Sequence, residues 1–168
     1  GRTSSMSILL DNTVLSNFAI TQRPDVISVT LEKLAATTDE VMHEHKEGVK
    51  LGRIPQTDWS WLLLLSLTPS AQSLCAQLRL RLGPGEASCI ALAHYDGHQV
   101  MTDDRVARRL AQQLQVPVSG TLGLLALAVD KEYLSLSAAD GLLQQMITAG
   151  YRSPISSLEG IVSRSSRP

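Results

Sequence analysis

The sequence predicts a three-layer α/β/α domain around a central parallel sheet, and three observations carry the prediction. Short apolar runs of strand length recur along the chain, separated by stretches whose apolar residues fall at helical spacing, which is the alternation of a βαβ fold. These runs are mainly apolar and show no regular polar alternation, as expected of strands covered on both faces. With 168 residues, 43% of them hydrophobic and 18% charged, the chain supports one core, and right-handed crossovers then put helices on both sides of the sheet.

Taken in order, residues 7–10 (SILL) read as the first strand and end in Asp11. Residues 12–20 follow as a helix with Val14, Leu15, Phe18 and Ala19 on one face. Pro24 opens a short helix to residue 31. Residues 34–37 extend as a second strand, and Thr38 caps a helix over 39–49. A loop spans 52–58, and WSWLLLLSL at 59–67 is a strand or a buried segment, between which periodicity does not choose. Pro69 begins a helix to residue 82. Gly83, Pro84 and Gly85 break the chain, and 86–94 resumes as a helix with Ile90, Leu92 and Ala93 inward. Residues 99–101 form a strand closed by Thr102, Asp103 and Asp104. A helix over 105–113, a strand over 116–118 and helices over 121–129, 138–148 and 157–163 complete one domain, 7–163, with no repeat or linker inside it. Residues 1–6 read as a cloning remnant and disordered N-terminus, and 164–168 as a polar tail.

Fifteen basic residues against sixteen acidic ones leave a net charge of -1, which lacks the footprint of a protein that coats duplex nucleic acid. A nucleic-acid substrate would need a local basic patch or metal ions. The longest apolar runs, 61–65 and 122–129, fall short of the roughly 18 residues of a membrane span, so no anchor is expected. Cys75 and Cys89 lie in apolar helical patterns without metal-ligand spacing, which argues for no disulfide or zinc site and for a reducing cytoplasmic setting. His43, His45, His94 and His98 read as surface residues, because HEH on a helix turns its two imidazoles to different faces. Met42, Met101, Met146, Trp59 and Trp61 read as core or near-core packing.

In an open parallel sheet, ligands bind outside the carboxyl ends of the strands. There this sequence carries acids. Asp11 follows the first strand, Asp103 and Asp104 follow 99–101, Glu44 lies one turn beyond Glu40 in the helix after the second strand, and Glu86 follows the Gly-Pro-Gly break. Taken singly, each has an ordinary explanation: Asp11, Asp103 and Asp104 suit N-caps, Glu40 and Glu86 suit helix starts, and Glu44 suits a pair with Lys46 or Lys50. Gathered at one sheet edge they would repel one another unless a cation intervened, and such carboxylate clusters bind magnesium or manganese. Arg105, Arg108 and Arg109 either contact phosphates or form a solvated face. Ser119, Gly120 and Thr121 open a helix whose free N–H groups form an anion site or are simply capped. A receiver- or dehalogenase-type phosphoryl transferase also places Asp after a strand, but Asn12 and Thr13 give no DxD, and no Lys is suitably placed later.

At these residues the sequence resembles the PIN-domain nucleases, particularly the small VapC-like toxin members of bacteria and archaea. The likeness runs in order through LLDNTVLSNFA (9–19), TTDEVMHEHKEG (37–48), LGPGEASCIALA (82–93), VMTDDRVARRLA (100–111) and VSGTLGLL (118–125). It implies a metal-dependent endoribonuclease with Mg2+ or Mn2+ held by Asp11, Glu44, Glu86 and Asp103 or Asp104, with Glu86 standing where many members have Asp. Thr102 or Thr121 would add a hydroxyl, and the arginines would contact RNA. The resemblance further implies cleavage to a 5'-phosphate and a 3'-hydroxyl, a small antitoxin partner and a homodimer. The competing reading is a non-catalytic PIN-like scaffold that binds protein.

Overall fold

The structure, a computed structural model, describes residues 5–162; residues 1–4 of the N-terminal remnant expected over 1–6, Ser163 and the tail at 164–168 lie outside the described residues. Five strands, β1 (Ile8–Leu10), β2 (Ala35–Thr38), β3 (Leu63–Leu65), β4 (Gln99–Met101) and β5 (Val118–Ser119), make one sheet in the order β3-β2-β1-β4-β5. Every neighbouring pair is parallel. The helices are α1 (Asn12–Ile20), α2 (Pro24–Leu31), α3 (Asp39–Lys50), α4 (Pro69–Leu78), α5 (Pro84–Asp96), α6 (Arg105–Gln113), α7 (Thr121–Asp130) and α8 (Leu136–Thr148), with a 3-10 turn at Glu32–Leu34. This is the α/β architecture that the strand–helix alternation predicts.

The chain winds from β1 outward through β2 to β3, crosses back, and winds outward through β4 to β5. Right-handed crossovers in two directions put α1 and α2 on one face and α4, α5 and α6 on the other. Packing agrees: α5 lies against β1, β2 and β4 and beside α4, α3 and α6, while α2 packs on α1 and on α7, which packs on α8. β1 is buried throughout, and Leu9, Leu10, Phe18, Ile90 and Leu125 anchor a core that runs through both layers. The winding reverses between β1 and β4, so a crevice opens beyond their carboxyl ends. The Thr37 hydroxyl donates to the Leu10 carbonyl at 2.6 Å, and the Asp11 N–H to the Met101 carbonyl at 3.0 Å, fixing the three central strand ends there.

Several elements depart from the sequence expectation. Gly83 and Pro84 start a helix rather than break one: Gly83 is the extended N-cap and Pro84 takes the first helical position, where its missing N–H costs nothing. The same proline bars Gly83 from helical backbone; α4 already ends at Leu78, and turns and a bend occupy 79–82. The segment 59–67 contributes only the edge strand Leu63–Leu65, with Leu63 and Leu64 exposed. The helix expected over 157–163 is absent from the described residues 157–162, which form turns. There Asp140 of α8 accepts from the Leu158 N–H at 2.7 Å and the Ser157 hydroxyl at 3.1 Å, competing with helical bonding in a piece too short to nucleate alone.

Two histidines expected at the surface are buried. His98 accepts from the Ser7 N–H at 2.9 Å. His45 accepts from Trp59 Nε1 at 2.9 Å, so its Nδ1 carries the hydrogen it shares with Asn12 Oδ1 at 2.8 Å. Trp59, Met42, Met101 and Met146 are buried as expected, whereas Trp61 is exposed. Both cysteines are free and buried. Among the described residues no helix is long and apolar enough to cross a membrane.

Candidate active site

Asp11 leaves β1 and becomes the N-cap of α1. Its Oδ1 accepts from the Thr13 N–H at 2.8 Å, the Thr13 hydroxyl at 2.5 Å and the Val14 N–H at 3.4 Å, and its Oδ2 accepts from the Thr102 hydroxyl. The capping role and the crevice position therefore coexist in one side chain. Asp11 is fully buried. Burial pushes its carboxyl up to about 6; the Thr102 and Thr13 hydroxyls and the Val14 N–H pull it down, and the Asp103 charge pushes it up further.

The two acids after β4 divide their work. Asp104 caps α6 through Oδ1, which accepts from the Ala107 N–H at 2.8 Å. Asp103 does not cap its own helix. Its Oδ1 accepts from the Thr121 N–H at 2.8 Å, while Oδ2 accepts from the Thr121 hydroxyl at 2.5 Å and Asn17 Nδ2 at 3.2 Å. The N-terminus of α7 is thus an anion site, but the anion is the protein's own carboxylate. Gly120 makes this fit possible, since a Cβ there would collide with Asp103 Oδ1 and stand 2.9 Å from the Thr102 carbonyl. Burial raises the Asp103 carboxyl, opposed by Thr121, the Arg108 charge and Asn17.

Glu44 and Glu86 come from α3 and α5, which pack together. Glu44 Oε1 is buried without a hydrogen-bond partner among the described residues. A Cβ on Gly85 would lie 2.6 Å from that oxygen, so the glycine leaves the room it occupies. Glu86 is pushed up to about 8, first by burial and then by the charges of Asp104, Asp11 and Glu44, with a hydrogen bond to Asp104 acting the same way. Mutual repulsion among these four acids is the electrostatic signature expected of acids gathered at one end of a sheet. Glu40, one turn before Glu44, instead lines a small cavity with Cys75, Arg79 and Pro84.

Among the described residues no group of three or more Asp, Glu, His or Cys side chains stands ready to hold a metal ion. The donor set nevertheless fits a hard divalent cation in kind. It is all carboxylate oxygen, it includes a buried oxygen with no partner, and like charges left alone stand apart.

The basic side chains are split. Arg108 donates to the Thr102 carbonyl at 3.1 Å and lies near Asp103. With Arg105 it lines a cavity of about 780 Å3 beside the crevice, whereas Arg109 is exposed and lines none of the cavities here. Thr102 spends its hydroxyl on Asp11, and Thr121 spends its own on Asp103. Sequence reasoning missed Thr13, Asn17, Tyr151 and Arg152. Thr13 and Asn17 share a face of α1 at i, i+4 spacing directly after Asp11, which was a readable signal; Tyr151 and Arg152 follow α8 in irregular backbone and gave none.

Comparison with known proteins bears on this arrangement. A crystal structure of PAE2754 from Pyrobaculum aerophilum is similar in fold, with a TM-score of 0.50 at 20% sequence identity, over 73% of this chain and 90% of that one. No curated protein matches the sequence. The model of the DUF3368 family, described as a PIN domain, matches residues 7–167, nearly the whole chain. This chain belongs to that family of PIN domains.

Proposed function

We propose that the protein is a Mg2+- or Mn2+-dependent ribonuclease that hydrolyses RNA phosphodiester bonds, and that it serves as the toxin-like, VapC-like member of a toxin–antitoxin pair. The observation that carries the reading is the gathering of Asp104, Asp11 and Glu44 around a partly buried Glu86, whose carboxyl is pushed up to about 8 by its burial first and by their charges second. Four acids from four elements are brought together where a parallel sheet reverses its winding, and the helix caps made by Asp11 and Asp104 leave the electrostatic cost of adding Glu44 and Glu86 unexplained by structure alone.

Asp11, Glu44, Glu86 and Asp103 or Asp104 would hold the cation. Asp103 also ties the ends of α1, β4 and α7 together through its bonds to Asn17 and Thr121. A divalent ion so held supplies charge neutralisation at the phosphate and a more acidic bound water. The chain's own part is to orient the acids. Thr13 and Thr102 clamp Asp11 from both sides, and the Asp104 N–H donates to the Thr102 hydroxyl at 3.2 Å, tying the two strand ends to one geometry. Hydrolysis joins a water oxygen to phosphorus as the bond to the 3'-oxygen breaks, and that oxygen leaves with a proton.

Incubating the purified protein with labelled single-stranded RNA and Mg2+ or Mn2+ tests the reading. Cleavage is expected from the wild type and none from Asp11→Asn. Equal cleavage by the variant defeats the assignment. Growth arrest on expression, abolished by the same substitution, tests the toxin role, and sedimentation with and without a small antitoxin tests the homodimer. The competing scaffold reading draws on the lack of a ready-made metal group among the described residues. A calorimetric manganese titration without binding heat would favour it.

A further inference from the structure

Two cavities flank the acids. One, of about 780 Å3, is lined by Asp103, Arg105, Arg108, Gly120, Tyr151 and Arg152 among others. The second, of about 650 Å3, shares Asp103, Arg105, Tyr151 and Arg152 and continues past Asn12 and Thr13 to Asp104. The shared side chains make the two adjoin, with Arg105 from the start of α6 on one side and Tyr151 and Arg152 from the segment after α8 on the other.

The charges of Arg105 and Arg152 are uncommitted, whereas that of Arg108 partly offsets Asp103. Among the described residues the ion pairs are Arg23–Asp25 and Lys50–Glu47, so neither Arg105, Arg108 nor Arg152 has a carboxylate within salt-bridge distance. Arg108 gives one nitrogen to the Thr102 carbonyl, and Asp103 already accepts from Thr121 and Asn17. A chain of net charge -1 that is to bring a polyanion against a carboxylate cluster needs local cations, and unpaired guanidinium groups match phosphate oxygens in geometry as well as sign.

Tyr151 adds a second kind of contact. Its backbone N–H bonds to the Met146 carbonyl at 2.9 Å, which fixes its position at the end of α8. The ring is half-buried and lines both cavities. Burial and the Asp103 charge hold its phenol neutral well above the ordinary range. A neutral aromatic ring among arginines is the combination that binds unpaired bases, because stacking needs an exposed base face that a duplex does not offer.

We propose that this double cavity seats a nucleotide of single-stranded RNA next to the acidic crevice, with Tyr151 against the base and Arg105 and Arg152 on its phosphates. The inference rests on the ribonuclease reading above and adds to it a subsite for one nucleotide, built on Tyr151 and Arg152.

Fluorescence anisotropy with a short labelled single-stranded RNA, in EDTA so that no cleavage intrudes, tests it. Tyr151→Ala and Arg152→Glu should each weaken binding about tenfold, the scale of one stacked base or one phosphate contact. Arg152 is exposed, so its replacement spares the fold. Tyr151→Phe keeps the ring and should bind as the wild type does. Unchanged affinity in both weakening variants overturns the proposal, as does an equal loss in Tyr151→Phe, or a duplex RNA that binds as tightly and responds to the same substitutions. The two levels stay separable. A wild type that cuts no RNA with Mg2+ or Mn2+ yet loses binding in Tyr151→Ala refutes the hydrolase and leaves the subsite; cleavage with binding indifferent to both variants does the reverse.

Discussion

Asp11 is a fully buried carboxylate facing a second one. Replacing it by Asn removes the charge while keeping an oxygen for the Thr13 and Val14 N–H groups. At pH 8 without metal, Asp11→Asn is expected to gain about 1 kcal/mol of stability in urea denaturation, part of the burial penalty being offset by weaker hydrogen bonds. Gly85 gives the opposite separation of stability from function. Glycine to alanine inside a helix ordinarily stabilises by up to about 1 kcal/mol. Here the new methyl meets the flexible end of Glu44, so Gly85→Ala should stay within about 1 kcal/mol of the wild type in stability while losing at least about tenfold in manganese affinity by calorimetry. Asp11, Asp103 and Asp104 were legible because an acid directly after an apolar strand marks the carboxyl edge of a sheet. Glu44 was distinguished from Glu40 by the family likeness alone, and the structure gives the reason: one oxygen abuts Gly85, the other residue lines a cavity with Cys75. Tyr151 was illegible because it reaches Asp103 only through the tertiary path of α7 and α8.

Among the elements, the end of β1 and the start of α5 carry the acids whose titration the fold displaces most. In the fold Asp11 rises from its usual 3.8 to about 6 and Glu86 from 4.5 to about 8. Both hold protons that the unfolded chain has released, so the metal-free protein loses stability as pH climbs from about 4 to about 8 and levels off beyond. A pH series of thermal melts checks this, and saturating Mn2+ should flatten the decline, since a bound cation replaces the protons. A metal-free stability that rises over that range would refute the electrostatic account. Strand–helix alternation was readable wherever apolar runs were clean, and boundaries shifted where a single bond or ring decided them. Pro84 moved the start of α5 forward, and Asp140 held 157–162 out of helix. Edge strand β3 resisted reading because Leu63 and Leu64 are exposed, which is the reverse of what an apolar run implies.

For the molecule as a whole, the thiols report on integrity. Cys89 is fully buried in α5 and its thiol is pushed far up by burial, whereas Cys75 on α4 is slightly accessible and less shifted. Labelling of Cys89 by a thiol reagent should follow global unfolding, with Cys75 reacting first through fraying of α4. Simultaneous fast labelling of both would show that the two-sided packing around α5 is looser than described. The sheet order also sets a timetable. β1 is central, yet one neighbour, β4, lies about ninety positions downstream: Thr102 meets Asp11 across a separation of 91 residues. Parallel pairing at that range closes late. A nascent polypeptide still lacking β4 therefore has its first carboxylate but no crevice, and chains stalled on ribosomes before Gln99 are expected to be protease-sensitive and harmless to the RNA around them. On the proposed ribonuclease reading, the order of synthesis withholds cleavage until the fold is nearly complete.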